Sequence, residues 1–245
     1  MDALIMCGGH GSRLRNQQNT TTDGEIHSPD ELQHIETDKN RSCADSSVTQ
    51  QSTPASNRSV IEREKPLVEI DGTTMLSHVV DALTASPVET VWAVTSPNAP
   101  RTATTVRESS SFESISPIET AGDGYVPDLQ HALSVVDTPV VTTPADLPLL
   151  SSDHITEIIT AARMPGDARA TPTLSSTMLC VPAALKQQLG VSIDTVFEHK
   201  DLTVTPSGVN VVDEDTDTVC VSYDARLAVN VNRPTDRHIA EKLCE

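Results

Sequence analysis

Apart from one interruption, the first two thirds of this chain alternate short apolar runs with stretches whose apolar residues return every three or four positions. Asp2-Ala3-Leu4-Ile5-Met6-Cys7 is a buried strand that ends at Gly8-Gly9. Leu67 to Ile70 reads as a second strand, closed by the turn dipeptide Asp71-Gly72. Met75, Leu76, Val79, Val80 and Leu83 follow at helical spacing and stop before Pro87. Val91 to Val94 is a strand, Ala99 to Glu108 a helix opening at Pro100, and Ser114 to Glu119 a strand. Val126, Leu129, Ala132, Leu133 and Val136 form a helical stripe before the strand Pro139 to Thr143. Ile155, Ile158, Ile159 and Ala162 mark a helix that starts near Ser151 to Asp153. Strands that alternate with helices in this way predict one α/β domain with a mostly parallel central sheet and helices on both faces.

Beyond about residue 165 the pattern is mixed. Met178 to Val181, Val209 to Val212, Val219 to Val221 and Leu227 to Val231 read as strands, and Pro234 to Leu243 as a closing helix. The interruption is residues 16–62. Nine of these 47 are apolar, none is aromatic, and 22 are Ser, Thr, Asn or Gln. Such a segment buries too little surface to offset the entropy of ordering it, so it reads as a low-complexity, disordered insertion within the domain. About 200 residues remain, an ordinary single domain.

The formal charge is −18, and a field of that sign opposes nucleic-acid backbones and anionic lipid heads. Only five aromatic residues are present (Phe112, Phe197, Tyr125, Tyr223, Trp92), too few for a base-stacking platform. No apolar stretch approaches the ~20 residues of a membrane span, and Asp2 stands where a signal peptide would be basic. Cys7, Cys43, Cys180, Cys220 and Cys244 are scattered and odd in number, which points to a reducing cytoplasm without a disulfide framework or a zinc site. Five Lys against twelve Arg, with abundant Thr and few large apolar side chains, is the style of proteins from salt-in halophiles. There the acidity describes the cell and not the partner.

The chemistry concentrates after the first strand. In Gly8-Gly9-His10-Gly11-Ser12-Arg13 the glycines permit a tight turn that aims several N–H groups at one anion. The loop lacks the Gly-Lys-Ser/Thr of a Walker motif, and Leu14 removes the last glycine of a dinucleotide fingerprint. Arg13 adds a fork-shaped donor suited to phosphate oxygens. Across the insertion, Glu64-Lys65-Pro66-Leu67 carries a Lys directed by a rigid Pro, a second phosphate counter-charge. Asp146 closes a strand in Thr142-Thr143-Pro144-Ala145-Asp146-Leu147-Pro148, at the edge where open α/β sheets bind ligands.

The Met1-Asp2-Ala3-Leu4-Ile5-Met6 start, Gly-Gly-x-Gly-Ser-Arg and Glu-Lys-Pro-Leu resemble the opening of the archaeal nucleotidyltransferases that transfer GMP to adenosylcobinamide phosphate. These are similar to the molybdenum-cofactor guanylyltransferases and, more distantly, to sugar-phosphate nucleotidyltransferases. Thr95-Ser96-Pro97-Asn98-Ala99-Pro100, Gly122-Asp123-Gly124-Tyr125-Val126-Pro127-Asp128-Leu129 and Ser207-Gly208-Val209-Asn210-Val211-Val212 resemble further segments of the cobinamide enzymes, as does Asn230-Val231-Asn232. Residues 165–200 match nothing. The family's glycine after the Arg is replaced here by Leu14-Arg15.

The resemblance implies a Rossmann-like nucleotidyltransferase domain that takes GTP as substrate and Mg²⁺ as cofactor. Arg13, Lys65 and Asp146 would be catalytic, and Asp146 would hold the ion with Asn232 or Asn230. Leu4, Met6, Gly8, Gly9, Gly11, Ser12, Gly124 and Asp128 would join Arg13 and Lys65 around the nucleotide. A carboxylate can accept the N1–H and N2–H₂ donors of guanine together, so Asp128 or Asp123 is a candidate base reader; Asp128 as a mere helix cap is the alternative. Histidines show no shared spacing, and no Ser-His-Asp or Cys-His set is legible. The expected reaction joins GMP to adenosylcobinamide phosphate with loss of pyrophosphate. A molybdopterin or sugar-phosphate acceptor is the alternative within the same chemistry. A non-catalytic GTP-binding regulator is the alternative of another class. The expected partners are the small molecules GTP and adenosylcobinamide phosphate; the sequence leaves the oligomeric state open, a homodimer included.

Overall fold

The computed structural model describes residues 1–8, 64–163, 174–213 and 218–244. The 16–62 segment therefore lies outside the described residues. Among the described residues there are ten strands: β1 (Ala3–Met6), β2 (Glu69–Ile70), β3 (Thr73–Thr74), β4 (Val91–Thr95), β5 (Ile115–Glu119), β6 (Val140–Pro144), β7 (Thr177–Pro182), β8 (Phe197–His199), β9 (Leu202–Val212) and β10 (Thr218–Val221). Six helices accompany them: α1 (Met75–Thr84), α2 (Pro100–Glu108), α3 (Tyr125–Leu133), α4 (Ser152–Ala161), α5 (Ala183–Leu189) and α6 (Pro234–Cys244). Eight strands form one sheet in the order β10-β7-β9-β6-β1-β4-β5, with β8 also paired to β9. Strands β6, β1, β4 and β5 run parallel, as do β10 and β7; β9 is antiparallel to β6, β7 and β8.

Alternation along β1 sets the two faces. Ala3, Ile5 and Cys7 point into a core built with Leu76, Val79 and Leu83 of α1 and Ile155 and Ile158 of α4. Leu4 points the other way, into a cluster with Val94, Ile118, Val140 and Ala132 of α3. The central strand is thus covered on both sides, which is why it reads as a continuous apolar run. Helix α1 starts where the Thr74 hydroxyl accepts the Ser77 N–H, satisfying one of the donors a helix start leaves unpaired. A smaller cluster gathers Ile70, Met75, Val229, Val231 and Ala240 beneath α6. Among the described residues no helix is long and apolar enough to cross a membrane.

Two expected strands come out differently. Residues 65–67 form a 3₁₀ turn, because Pro66 fixes the start of a helical turn and buries its ring. Val68 is extended, and Glu69–Ile70 pairs with Thr73–Thr74 in a separate hairpin. Asp71 and Gly72 both have positive φ there, as the tight hairpin turn demands. Leu227 and Ala228, the start of the expected Leu227 to Val231 strand, belong instead to a 3₁₀ turn over Ala225–Ala228. The Asp224 carboxylate accepts the Arg226 N–H and closes it. Leu227, Ala228, Val229 and Val231 are fully buried. Their apolar run reports burial, and the extended stretch up to Asn232 joins no ladder. The region that resembled nothing, 165–200, contributes β7, α5 and β8.

Candidate active site

The parallel strands deliver their carboxyl ends to one edge of the sheet, where α/β folds place ligands. A cavity of about 260 Å³ lies there, lined by Met6, Cys7 and Gly8 after β1, Asn98 after β4, Gly124, Tyr125 and Asp128 of the α3 start, and Pro144, Ala145 and Asp146 after β6. Lys65 and Pro66 complete it, so the two chain ends that flank residues 9–63 meet at one cavity. Gly8 is required by close approach: a Cβ there would lie 2.9 Å from Ser96 Oγ and 3.5 Å from Asp128 Oδ2. Gly9, Gly11, Ser12 and Arg13 lie outside the described residues.

Lys65 is held by its neighbours on both sides. Pro66 sets its backbone, and Glu64 reaches across to α2. The residue before α2, Ala99, has no side chain able to cap a helix. The Glu64 carboxylate supplies the cap from afar, accepting the N–H groups of Arg101 (2.9 Å) and Thr102 (2.7 Å) and the Thr102 hydroxyl (2.7 Å). A negative group at a helix start is also favoured by the helix dipole. The Lys65 ammonium is then aimed at Asp146 Oδ2, 2.5 Å away, and Asn232 Oδ1, 2.6 Å away.

The far side of Asp146 is equally bound. Asn230 Nδ2 donates to Asp146 Oδ1 (3.2 Å) and to the Ser207 carbonyl (2.9 Å). Asn230 Oδ1 accepts from Lys186 Nζ at 2.8 Å. The two asparagines left open by the sequence therefore differ: Asn232 turns its oxygen toward the point where Asp146 Oδ2 is aimed, and Asn230 turns its N–H₂ toward Asp146. The Asn232 backbone is fixed by Asp236, a fully buried carboxylate that accepts the N–H groups of Asn232, Arg233 and Ser192 and the Ser192 hydroxyl. Four donors make that burial tolerable. Val231 N–H donates to the Asp146 carbonyl, which ties the two segments together.

These donors fit a hard cation. Asp146 Oδ2 and Asn232 Oδ1 are oxygens, and they already converge on one positive charge, the Lys65 ammonium. No group of three His, Cys, Asp or Glu side chains gathers among the described residues. The set suits an ion carried on one or two protein oxygens with phosphates and water completing its shell, the habit of Mg²⁺.

On the opposite wall, Asp128 is 5 % exposed. Its Oδ1 accepts the Gly122 N–H at 3.0 Å, and Asn98 Nδ2 donates to the Gly122 carbonyl at 2.8 Å. The carboxylate thus clamps the loop before α3 and lines the cavity. Asp123 is exposed and does not line it. Tyr125 stands 54 % exposed at the rim, and burial of its hydroxyl side raises its pKa. One nucleotide contact is corrected here. Leu4 is fully buried in the core under α3 and does not line the cavity, whereas Met6, two residues further along the same strand face, does. Alternation fixes the face, and only the strand's last residue reaches the edge.

A second cavity, about 280 Å³, opens on the other side of Asp146. Its lining includes Lys186, Ser192, Asp194, Thr205, Ser207, Asn230 and Asn232, and it shares Pro144 and Asp146 with the first. Gly208 lets β9 close on this wall: a Cβ there would lie 2.8 Å from the Pro144 ring, and its φ is +98°. Lys186 is nearly buried, and desolvation lowers its pKa against the pull of Asp146, Asp194 and Asp236.

Several of these residues escaped the sequence reading. Glu64 was legible only as part of Glu-Lys-Pro-Leu, although Ala99-Pro100 was a helix start without a cap and so announced a partner. Lys186, Asp194 and Asp236 fall in or beside stretches without a local motif, and only the folded chain brings them to Asp146.

Comparison with known proteins narrows the chemistry. The adenosylcobinamide-phosphate guanylyltransferase of Methanocaldococcus jannaschii is 32% identical over 97 residues, which are 39% of this chain and 50% of that protein. The match thus spans half the length of that relative. A solved 4-diphosphocytidyl-2C-methyl-D-erythritol synthase is 18% identical, with a TM-score of 0.52 over 74% of this chain and 93% of its own. A protein of Bacillus anthracis described as a glucose-1-phosphate thymidylyltransferase is 10% identical, with a TM-score of 0.58 over 99% of this chain and 95% of its own. At those identities the likeness is one of fold. The family model of the MobA-like NTP transferase domain matches residues 55–203, a span that carries Lys65, Asp128 and Asp146. The chain belongs to the MobA-like NTP transferase family.

Proposed function

We propose that this nucleotidyltransferase moves GMP from GTP to adenosylcobinamide phosphate, forming adenosylcobinamide-GDP and pyrophosphate. The observation that carries the reading is that Asp146 lines two cavities at once, as a group must that serves both a nucleotide and an acceptor. The partial match to the cobinamide enzyme supports this acceptor over others. GTP lies in the first cavity, its base beside Asp128 and Tyr125 and its phosphates toward Gly8 and Lys65. An oxygen of the acceptor phosphate, in the second cavity, attacks the α-phosphorus. One P–O bond forms there as the bond to the bridging oxygen breaks, and pyrophosphate leaves. Lys65, with Arg13, offsets charge on the triphosphate and the leaving group. Bound Mg²⁺ supplies further charge neutralisation across the phosphates, and Asp146 and Asn232 are the residues that would hold it. The rest is positioning and electrostatics, with no covalent enzyme intermediate.

The test is pyrophosphate release by the purified protein in high salt with Mg²⁺, adenosylcobinamide phosphate and each of GTP, ATP, CTP and UTP. GTP is expected to be the productive donor, and Asp128→Asn to lose the preference for GTP over ATP by roughly tenfold or more, since a hydrogen bond to a charged group contributes about 1.5–3 kcal/mol. Turnover with molybdopterin or a sugar phosphate, and none with the corrinoid, would reassign the acceptor. GTP binding without turnover on any acceptor would make the protein a regulator.

A further inference from the structure

Lys186 is 4 % exposed on α5, and among the described residues its hydrogen-bond partner is Asn230 Oδ1. An ammonium taken out of water is expensive unless it is paired well. What the charge does is select one orientation of an amide. Asn230 is bonded at both ends: Oδ1 accepts from Lys186, and both N–H groups are used, on the Ser207 carbonyl and Asp146 Oδ1. Turned over, the amide would set its oxygen against Asp146 Oδ1 and the Ser207 carbonyl and its N–H₂ against the ammonium, three like-meets-like contacts in a partly buried place. The amide in turn occupies Asp146 Oδ1, which leaves Oδ2 for Lys65. One oxygen of the carboxylate is held from each side.

We propose that Lys186 is a positioning residue: acting through Asn230, it fixes the Asp146 carboxylate so that Oδ2 faces Lys65, Asn232 and the nucleotide cavity. The relay itself stands on the contacts above, and it rests on the proposed function only for what the carboxylate serves. Binding of GTP is the readout, with no acceptor and no turnover. Calorimetry in Mg²⁺ is expected to show about tenfold weaker GTP binding for Lys186→Met and for Asn230→Ala, and the double variant is expected to be no weaker than Asn230→Ala alone, the signature of two residues acting as one unit. In EDTA, where GTP binds without the ion, Lys186→Met is expected to match the wild type, which a general loosening of the fold would not allow. Wild-type affinity for Lys186→Met in Mg²⁺, or losses that multiply in the double variant, overturns the relay. If the wild-type protein binds no GTP, the nucleotide reading falls by itself. Urea unfolding of the same three variants then decides the relay, with non-additive losses supporting it and additive losses overturning it.

Discussion

The two halves of the sheet build their parts of the site by different means. On the parallel side, β1, β4 and β6 each end at the same edge and each hands over a residue within two or three positions of its last pair: Gly8, Asn98 and Asp146. On the antiparallel side the contributing residues come from α5, from the loop before α6, from the first turn of α6 and from the middle of β9, and they reach Asp146 through one another. Parallel strands fed by right-handed crossovers make a shared rim almost unavoidable. Antiparallel pairing makes no such rim, so Lys186, Asn230 and Asp236 depend on specific hydrogen bonds to arrive there. A functional residue on the first side is located by topology; on the second it is located by its partners.

The contrast breaks first at the seam. Lys65 belongs to the parallel side and Asn232 to the other, and both meet at Asp146. Lys65→Met is expected to lower pyrophosphate release by about 100-fold or more, the scale seen when one preorganised charge-stabilising donor is removed from an active site. Lys65 also ties Asp146 Oδ2 to Asn232 Oδ1, and thermal unfolding of the same variant measures that structural share apart from turnover. A loss of turnover under fivefold would remove Lys65 from the chemistry and leave it a structural tie between the halves.

A smaller effect separates topology from partners within the parallel side. Glu64 caps α2 from outside the helix and so holds the residue that precedes Lys65. Glu64→Ala is expected to destabilise the fold by about 0.5–2 kcal/mol, the usual loss when a helix cap is deleted, and to raise the GTP Michaelis constant by freeing Lys65. If calorimetric unfolding shows the loss and the Michaelis constant does not move, Lys65 is placed by Pro66 alone.

The same contrast explains how far the sequence could be read. The strand–helix alternation up to residue 162 follows from period-2 and period-3.6 burial, and the α/β sheet with Gly8, Lys65 and Asp146 at its edge came from that pattern and from adjacent residues. Leu4 shows the limit even there, because alternation names a face and not how far along the strand the edge lies. Leu227 to Val231 shows another: an apolar run records burial, and an Asp cap made it a turn. Lys186 and Asp236 were illegible since nothing in their own neighbourhoods differs from a solvated Lys or a helix-start Asp. Each is reached by a partner 44 positions away, Asn230 for Lys186 and Ser192 for Asp236.

The smallest effect tests whether the halves are tied at their far side as well. Asp224, in the turn after β10, lies beside His154 of α4, the helix that follows β6, with Nε2 3.0 Å from Oδ2. Ser151 N–H donates to His154 Nδ1, so a neutral ring carries its proton on Nε2, toward the carboxylate. The Arg226 guanidinium, hydrogen-bonded at 2.7 Å, is the main cause that holds the Asp224 carboxyl well below its ordinary value, and His154 adds to it. A carboxyl lowered in the folded state stabilises the fold above its unfolded pKa of about 3.8, and that contribution is lost as pH falls through the folded value. Asp224→Asn is therefore expected to be less stable than the wild type at pH 7, and the gap should close progressively below about pH 4. Asp224 is partly exposed and its Arg226 partner is solvated, so the difference should stay below about 1 kcal/mol and shrink with salt. Urea unfolding at pH 7 and pH 3 measures both. A gap that keeps its size at pH 3 would assign the loss to the turn that Asp224 closes, and the two halves would then be joined through Asp146 and the core without this outer contact.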